Sequence, residues 1–201
     1  MAKWLGVLAQ KGGTGKSTLT VHLAVEAERS GERVLILDAD PQASALAWGH
    51  NREADSPRVE RLQDGSKRVD VGSATIVIVD FPPRASAAVS VLAEKLDFAI
   101  VPLQASAFDM ATIEPTARIL AAAHVPFAVV LNRAPVRSID VLDAREFLSA
   151  SEISCAPKAI GDRRAFVRAL AAGEAVGEFE PKGQAAAEIA DLWSFVKGHL
   201  K

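Results

Sequence analysis

The chain has 201 residues, 49% of them apolar and 24% charged, with a formal net charge of −2. That length suits one well-buried α/β domain and is short for two, and the charge leaves nucleic-acid binding only to a local basic patch. No apolar run approaches the ~20 residues that cross a bilayer, nothing before the first strand resembles a signal peptide, and the lone Cys155 excludes an intrachain disulfide, so the expected compartment is the cytoplasm.

Five short apolar runs cover residues 4–9, 33–37, 75–79, 98–102 and 127–131. None alternates cleanly with period two, as expected of strands buried on both faces in a parallel sheet. Helical stretches at 16–30 and 111–123 separate them, and Gly31 stands where a helix C-cap belongs. The repetition predicts one α/β domain over residues 1–201, with a single doubly wound, mostly parallel sheet flanked by helices. Ligands on such sheets sit at the carboxyl ends of the strands.

Between the first strand and the first helix runs Lys11-Gly12-Gly13-Thr14-Gly15-Lys16-Ser17-Thr18. Its glycines let backbone N–H groups turn inward around phosphate oxygens, and the helix N-terminus adds its dipole. Lys16 is expected to bridge the β- and γ-phosphates, Ser17 to give its hydroxyl to Mg²⁺, and Thr18 to reach the α-phosphate. The motif predicts a phosphate-binding loop of the P-loop NTPase kind, with ATP and Mg²⁺ as cofactors. Gln10 stands where the general motif has a glycine, and Lys11 is a second lysine at the front of the loop.

The second strand ends in Asp38-Ala39-Asp40-Pro41-Gln42. A carboxylate near the γ-phosphate can orient and deprotonate an attacking water, and Asp38 either supports the metal's water shell or braces the loop. Residues 51–73 read as a surface excursion with a short strand at 58–62 and a turn at Asp64-Gly65-Ser66-Lys67. The run at 75–79 ends in Asp80-Phe81-Pro82-Pro83, where Asp80 is a candidate Mg²⁺ carboxylate. Pro102-Leu103-Gln104 and Phe108-Asp109 follow the next strand. Asn132 and Arg133 follow the last one; an Asn amide can pair with a base edge and an Arg can stack on a ring. Alanine richness at 118–123 and 185–190 suggests close helix packing.

Lys158, Arg163, Arg164 and Arg168 form the densest basic stretch, opposed only by Asp162. They are candidate DNA-phosphate contacts, or else an ordinary solvated helix face. Residues 184–201 read as a helix with Ile189, Leu192, Trp193, Val196 and Leu200 along one stripe. Its polar face is not basic, so it suits covering the sheet better than lying on anionic lipid.

Lys11–Thr18, Asp38–Gln42, Asp80–Pro83, Pro102–Gln104 and Asn132 follow one another in the order of the ParA/MinD family. The sequence resembles its deviant phosphate-loop ATPases, and most nearly short, ParF-like ParA partition ATPases; Trp48 is a further point of likeness. With the loop beginning at residue 11, no N-terminal helix-turn-helix domain is expected, and the resemblance implies a SIMIBI-like P-loop NTPase fold. The resemblance implies weak intrinsic ATP hydrolysis and an ATP-dependent sandwich homodimer in which Lys11 reaches the partner's nucleotide. It assigns Asp40 to the attacking water and Asn132 and Arg133 to the adenine. It further implies non-specific binding to double-stranded DNA, nucleoid association when ATP-bound, and a small centromere-binding, ParB-like activator. The alternative is a MinD-like membrane-cycling positioning ATPase, which the C-terminal helix disfavours. No cluster of cysteines or tyrosines points to the metal-delivery or kinase relatives.

Overall fold

Strands β1 (Lys3–Val7), β2 (Val34–Asp38), β3 (Arg58–Arg61), β4 (Ile76–Asp80), β5 (Phe98–Leu103) and β6 (Phe127–Leu131) form one sheet in the order β3-β2-β4-β1-β5-β6. Every pairing is parallel. This is a computed structural model, and it describes residues 1–62, 69–84, 86–110, 112–135 and 138–200. The helices are α1 (Lys16–Arg29), α2 (Ser44–Asn51), α3 (Ala87–Ala93), α4 (Ala107–Met110), α5 (Ile113–Ala122), α6 (Ile139–Ala150), α7 (Arg164–Ala171), α8 (Val176–Phe179) and α9 (Gln184–His199).

The unbroken apolar strands are explained by two cores. In β4, Ile76 and Ile78 enter the core shared with α1, α7 and α9, while Val77 and Val79 enter the one covered by α3, α5 and α6. Alternate side chains point to opposite faces, so a strand covered on both sides needs no polar position. Helix α9 packs its stripe of Ile189, Leu192, Trp193, Val196 and Leu200 into the first core. Trp193 Nε1 also donates to Ser30 Oγ at 2.8 Å, fixing α9 to the end of α1. At that end Gly31 takes a left-handed φ of 95°, and Glu32 N–H returns to Ala27 O, satisfying carbonyls that the helix leaves open.

The short strand expected at 58–62 is present as Arg58–Arg61, and it extends the sheet beyond β2 as its edge strand. The turn foreseen at Asp64–Lys67 lies outside the described residues. The alanines at 121 and 122, expected to pack closely, are exposed, because α5 buries Ile113, Thr116 and Leu120 instead; Ala123 packs partly against the second core, and Ala185 and Ala186 are buried as expected.

Candidate nucleotide site

Strand β1 lies between β4 and β5, so the chain leaves it at the point where the winding reverses, the usual place for a ligand crevice. Residues 8–15 turn there into α1. Gly13 and Gly15 hold left-handed φ values of 78° and 94°, a conformation that costs a side-chain-bearing residue about 1 kcal/mol or more. No N–H of Gly12, Gly13, Thr14 or Gly15 donates to a protein acceptor among the described residues. The N-terminus of α1 likewise has no side-chain cap, so the N–H groups of its first turn are also unmatched. A row of unpaired donors at a helix start is an anion cradle.

Asn132 holds this loop from behind: its Nδ2 donates to Thr14 O at 2.7 Å, and the residue is buried. A Cβ on Gly15 would collide with that amide. Arg133, exposed and at φ 52°, reaches Gly13 O at 3.4 Å. Both expected base-contacting residues therefore stand at the site, and both also support the loop.

Register brings the carboxylates together, because Asp38 pairs with Asp80 across β2 and β4. Asp38 is fully buried, and its two oxygens accept the N–H groups of Asp40 (3.1 Å) and Leu46 (2.9 Å). Through these bonds it braces the loop that follows β2. Asp40 lines the cavity and accepts Gln42 N–H on Oδ1 at 2.9 Å; its Oδ2 has no protein partner among the described residues. Both oxygens of Asp80 are buried without a hydrogen-bond partner among the described residues. Burial pushes the Asp80 carboxyl up to about 7, and the Asp38 and Asp40 charges push the same way. The Ser17 hydroxyl and the Lys16 ammonium pull against them. Lys16 is itself buried, which lowers its pKa, and the charges of Asp80 and Asp40 offset part of that loss.

A buried carboxylate left unpaired costs several kcal/mol, and a cation beside it removes that cost. No cluster of three or more His, Cys, Asp or Glu side chains converges on one point among the described residues. The donor set therefore suits Mg²⁺, which keeps several waters and takes the rest of its ligands from phosphates and one or two side chains. Ser17 would supply the hydroxyl and Asp80 the nearby carboxylate.

Lys11 points back into its own subunit. Its Nζ lies 2.7 Å from Oδ1 of the buried Asp109, whose Oδ2 accepts the Ser106 hydroxyl. Sequence reading placed Asp109 near this edge without foreseeing the pair, since 98 residues separate its members.

The cavity beside the loop has a volume of about 700 Å³, within the usual range for a small-molecule site. Its far wall is the part that sequence reasoning missed: Ile160, Gly161, Asp162, Arg163 and Phe166. The chain runs beside β6 there, with Val129 bridged to Cys155 and Ala134 to Gly161. Pro157 interrupts this segment, so it carries no strand signal. Two of the four candidate DNA cations are already partnered: Arg163 with Glu188 and Lys158 with Asp191, each at 2.6 Å. Arg163 also lines the nucleotide cavity. Only Arg164 and Arg168 remain as an exposed pair without ion-pair partners among the described residues, and Arg168 leans over the Phe179 ring.

The family model described as the CobQ/CobB/MinD/ParA nucleotide binding domain matches residues 5–176. A maintenance of carboxysome distribution protein A from Gloeobacter kilaueensis is 31% identical over 192 residues, covering 92% of this chain and 88% of that protein. A protein ParA from Rhizobium radiobacter is 34% identical over 51% of this chain and 49% of its own length. Among solved structures, an ATP complex of a Cyanothece McdA variant superposes with a TM-score of 0.79 at 18% identity, covering 99% of this chain and 96% of that one. At that identity the likeness is one of fold.

Proposed function

The chain belongs to the CobQ/CobB/MinD/ParA nucleotide-binding family, and from that premise we propose a ParA-like positioning cycle driven by ATP. The chain is an ATPase that works with ATP and Mg²⁺. The ATP-bound form closes into a sandwich dimer, the dimer holds double-stranded DNA without sequence preference, and a partner protein stimulates hydrolysis and releases it. The cargo is a plasmid, a chromosome or a protein assembly.

The observation that carries this reading is the unmatched row of N–H groups from Gly12 into α1, with Lys16 buried beside it and Lys11 at its mouth. Those donors grip the triphosphate. Asp40, with one oxygen held by Gln42 N–H and the other unpartnered, orients the attacking water and accepts its proton. Mg²⁺, when bound, neutralises charge on the phosphate oxygens. Lys11 leaves Asp109 to meet the partner subunit's nucleotide in a water-poor interface, where one charge contact counts for more than in solvent.

Arg164 and Arg168 lie one helical turn apart on an exposed face of α7, and dimerisation would present two such faces to DNA. The MinD-like membrane alternative loses support because the apolar stripe of α9 is consumed by the core. The test is retention of duplex DNA by the ATP-bound protein at increasing salt. Arg164→Glu with Arg168→Glu is expected to abolish retention while leaving ATP binding intact, and replacing either one by Ala to lower the salt slope by about one. Retention equal to wild type in the double variant would remove α7 from the DNA surface.

A further inference from the structure

Six large apolar side chains stand exposed among the described residues, and three of them, Ile139, Leu142 and Phe147, are on α6. Single exposed apolar residues are ordinary, but a cluster on one element is not. Helical spacing sets them on the outward stripe, opposite the buried Ala144 and Leu148. Asp143 and Glu146 lie between them on the same stripe, both exposed and without ion-pair partners among the described residues. Asp140 adds a third carboxylate at the helix start. It accepts the Ser138 hydroxyl at 2.8 Å and so also serves the helix end. Arg145, the only cation within α6, turns inward to the carbonyls of Ala156 and Pro157, each at 3.0 Å.

Beside this stripe runs a groove of about 660 Å³, walled by Pro135, Ile139, Val141 and Leu142 on one side and by Gln184 and Glu188 on the other. The cations near its α9 wall are already engaged: Arg163 by Glu188 and Lys158 by Asp191. The face therefore offers apolar anchors beside two carboxylates, Asp143 and Glu146, that have no ion-pair partner among the described residues.

We propose that the outward face of α6 and its groove dock a short, cationic, amphipathic segment of a partner protein. The charge selects among occupants. Anionic lipid and DNA would be repelled by Asp140, Asp143 and Glu146. A second copy docked by the same face would set these carboxylates against their equivalents. A segment with leucine-like anchors and lysines or arginines matches both features. The groove shares Gly161 and Arg163 with the nucleotide cavity, but no residue of α6 lines that cavity, and the inference stands whether or not ATP drives dimerisation.

The probe is a labelled amphipathic helical peptide with leucines on one face and lysines on the other, titrated by fluorescence anisotropy against the full chain without nucleotide. Wild type is expected to bind it. Ile139→Ser with Leu142→Ser, and separately Asp143→Lys with Glu146→Lys, should each weaken binding at least about tenfold; all four positions are exposed, and circular dichroism checks that the variants fold. The same peptide with glutamates for lysines should not bind. Failure of wild type to bind, equal binding by both variants, or equal binding of the glutamate peptide would overturn the proposal. So would α6-dependent retention on anionic vesicles, which would make lipid the occupant, or an α6-dependent oligomer, which would make it a second copy.

Discussion

Lys11 and Asp109 form a half-exposed ion pair whose acidic member is buried. If the lysine moves to another subunit's phosphates as proposed, that carboxylate loses its counter-charge, so the pair would oppose dimer closure until a triphosphate compensates. Asp109→Asn keeps the shape and removes the charge. It is expected to lower the ATP concentration at which the dimer half-forms, measured by light scattering across an ATP titration; an unchanged or raised midpoint would show that Asp109 does not hold Lys11 back. Asp40→Ala is expected to leave ATP binding and dimerisation intact and to cut phosphate release at least about 100-fold, in keeping with loss of a general base. Turnover near wild type would remove Asp40 from that role. The phosphate loop was legible in sequence because its chemistry is contiguous. The bracing role of Asp38, by contrast, depends on backbone N–H groups two and eight residues onward, which residue types alone do not reveal.

At the scale of elements, α1 joins the site to the C-terminal helices through His22. The Val176 N–H donates to its Nδ1 at 3.2 Å, so the proton of the neutral ring sits on Nε2, which is buried without a partner among the described residues. Burial holds the His22 pKa down to about 3, against the smaller upward pull of the Glu178 charge. In the unfolded chain the ring titrates near its ordinary value of about 6.5. The folded pKa is the lower one, so stability is intact above about 6.5 and is lost as pH falls toward about 3. The limiting slope is about 1.4 kcal/mol per pH unit. Urea denaturation between pH 7 and pH 4 should show a shallower acid loss for His22→Gln than for wild type; parallel profiles would contradict the burial argument. Trp193 fills the core between α9 and α1, so Trp193→Ala is expected to cost about 3–5 kcal/mol in the same assay at neutral pH. Strands β1, β2, β4, β5 and β6 were readable as unbroken apolar runs, and α1, α5 and α9 from their helical spacing, because elements that bury whole faces leave local patterns; the short helices α2, α3, α4 and α8 left none. The run beside β6 leaves none: Pro157 breaks it, and its hydrogen bonds reach back to residues more than 20 positions earlier. The basic residues around 158–168 thus looked like one solvated patch, while their neighbours Ile160 to Asp162 form a wall of the cavity.

For the whole molecule, the sheet places every nucleotide-directed group on one edge: the loop after β1, Asp40 after β2, Asp80 ending β4 and Asn132 after β6. That edge also carries Lys11, so nucleotide and partner subunit would meet at one surface, and on the proposed reading DNA affinity would follow dimerisation because it sets two Arg164–Arg168 pairs together. The account therefore turns on whether ATP makes two chains into one particle. Sedimentation velocity with Mg²⁺, comparing no nucleotide, ADP and a slowly hydrolysed ATP analogue, measures this directly. The expected result is a monomer in the first two and a dimer with the analogue, with Lys16→Ala monomeric throughout. A wild-type chain that binds the analogue and stays monomeric would contradict it.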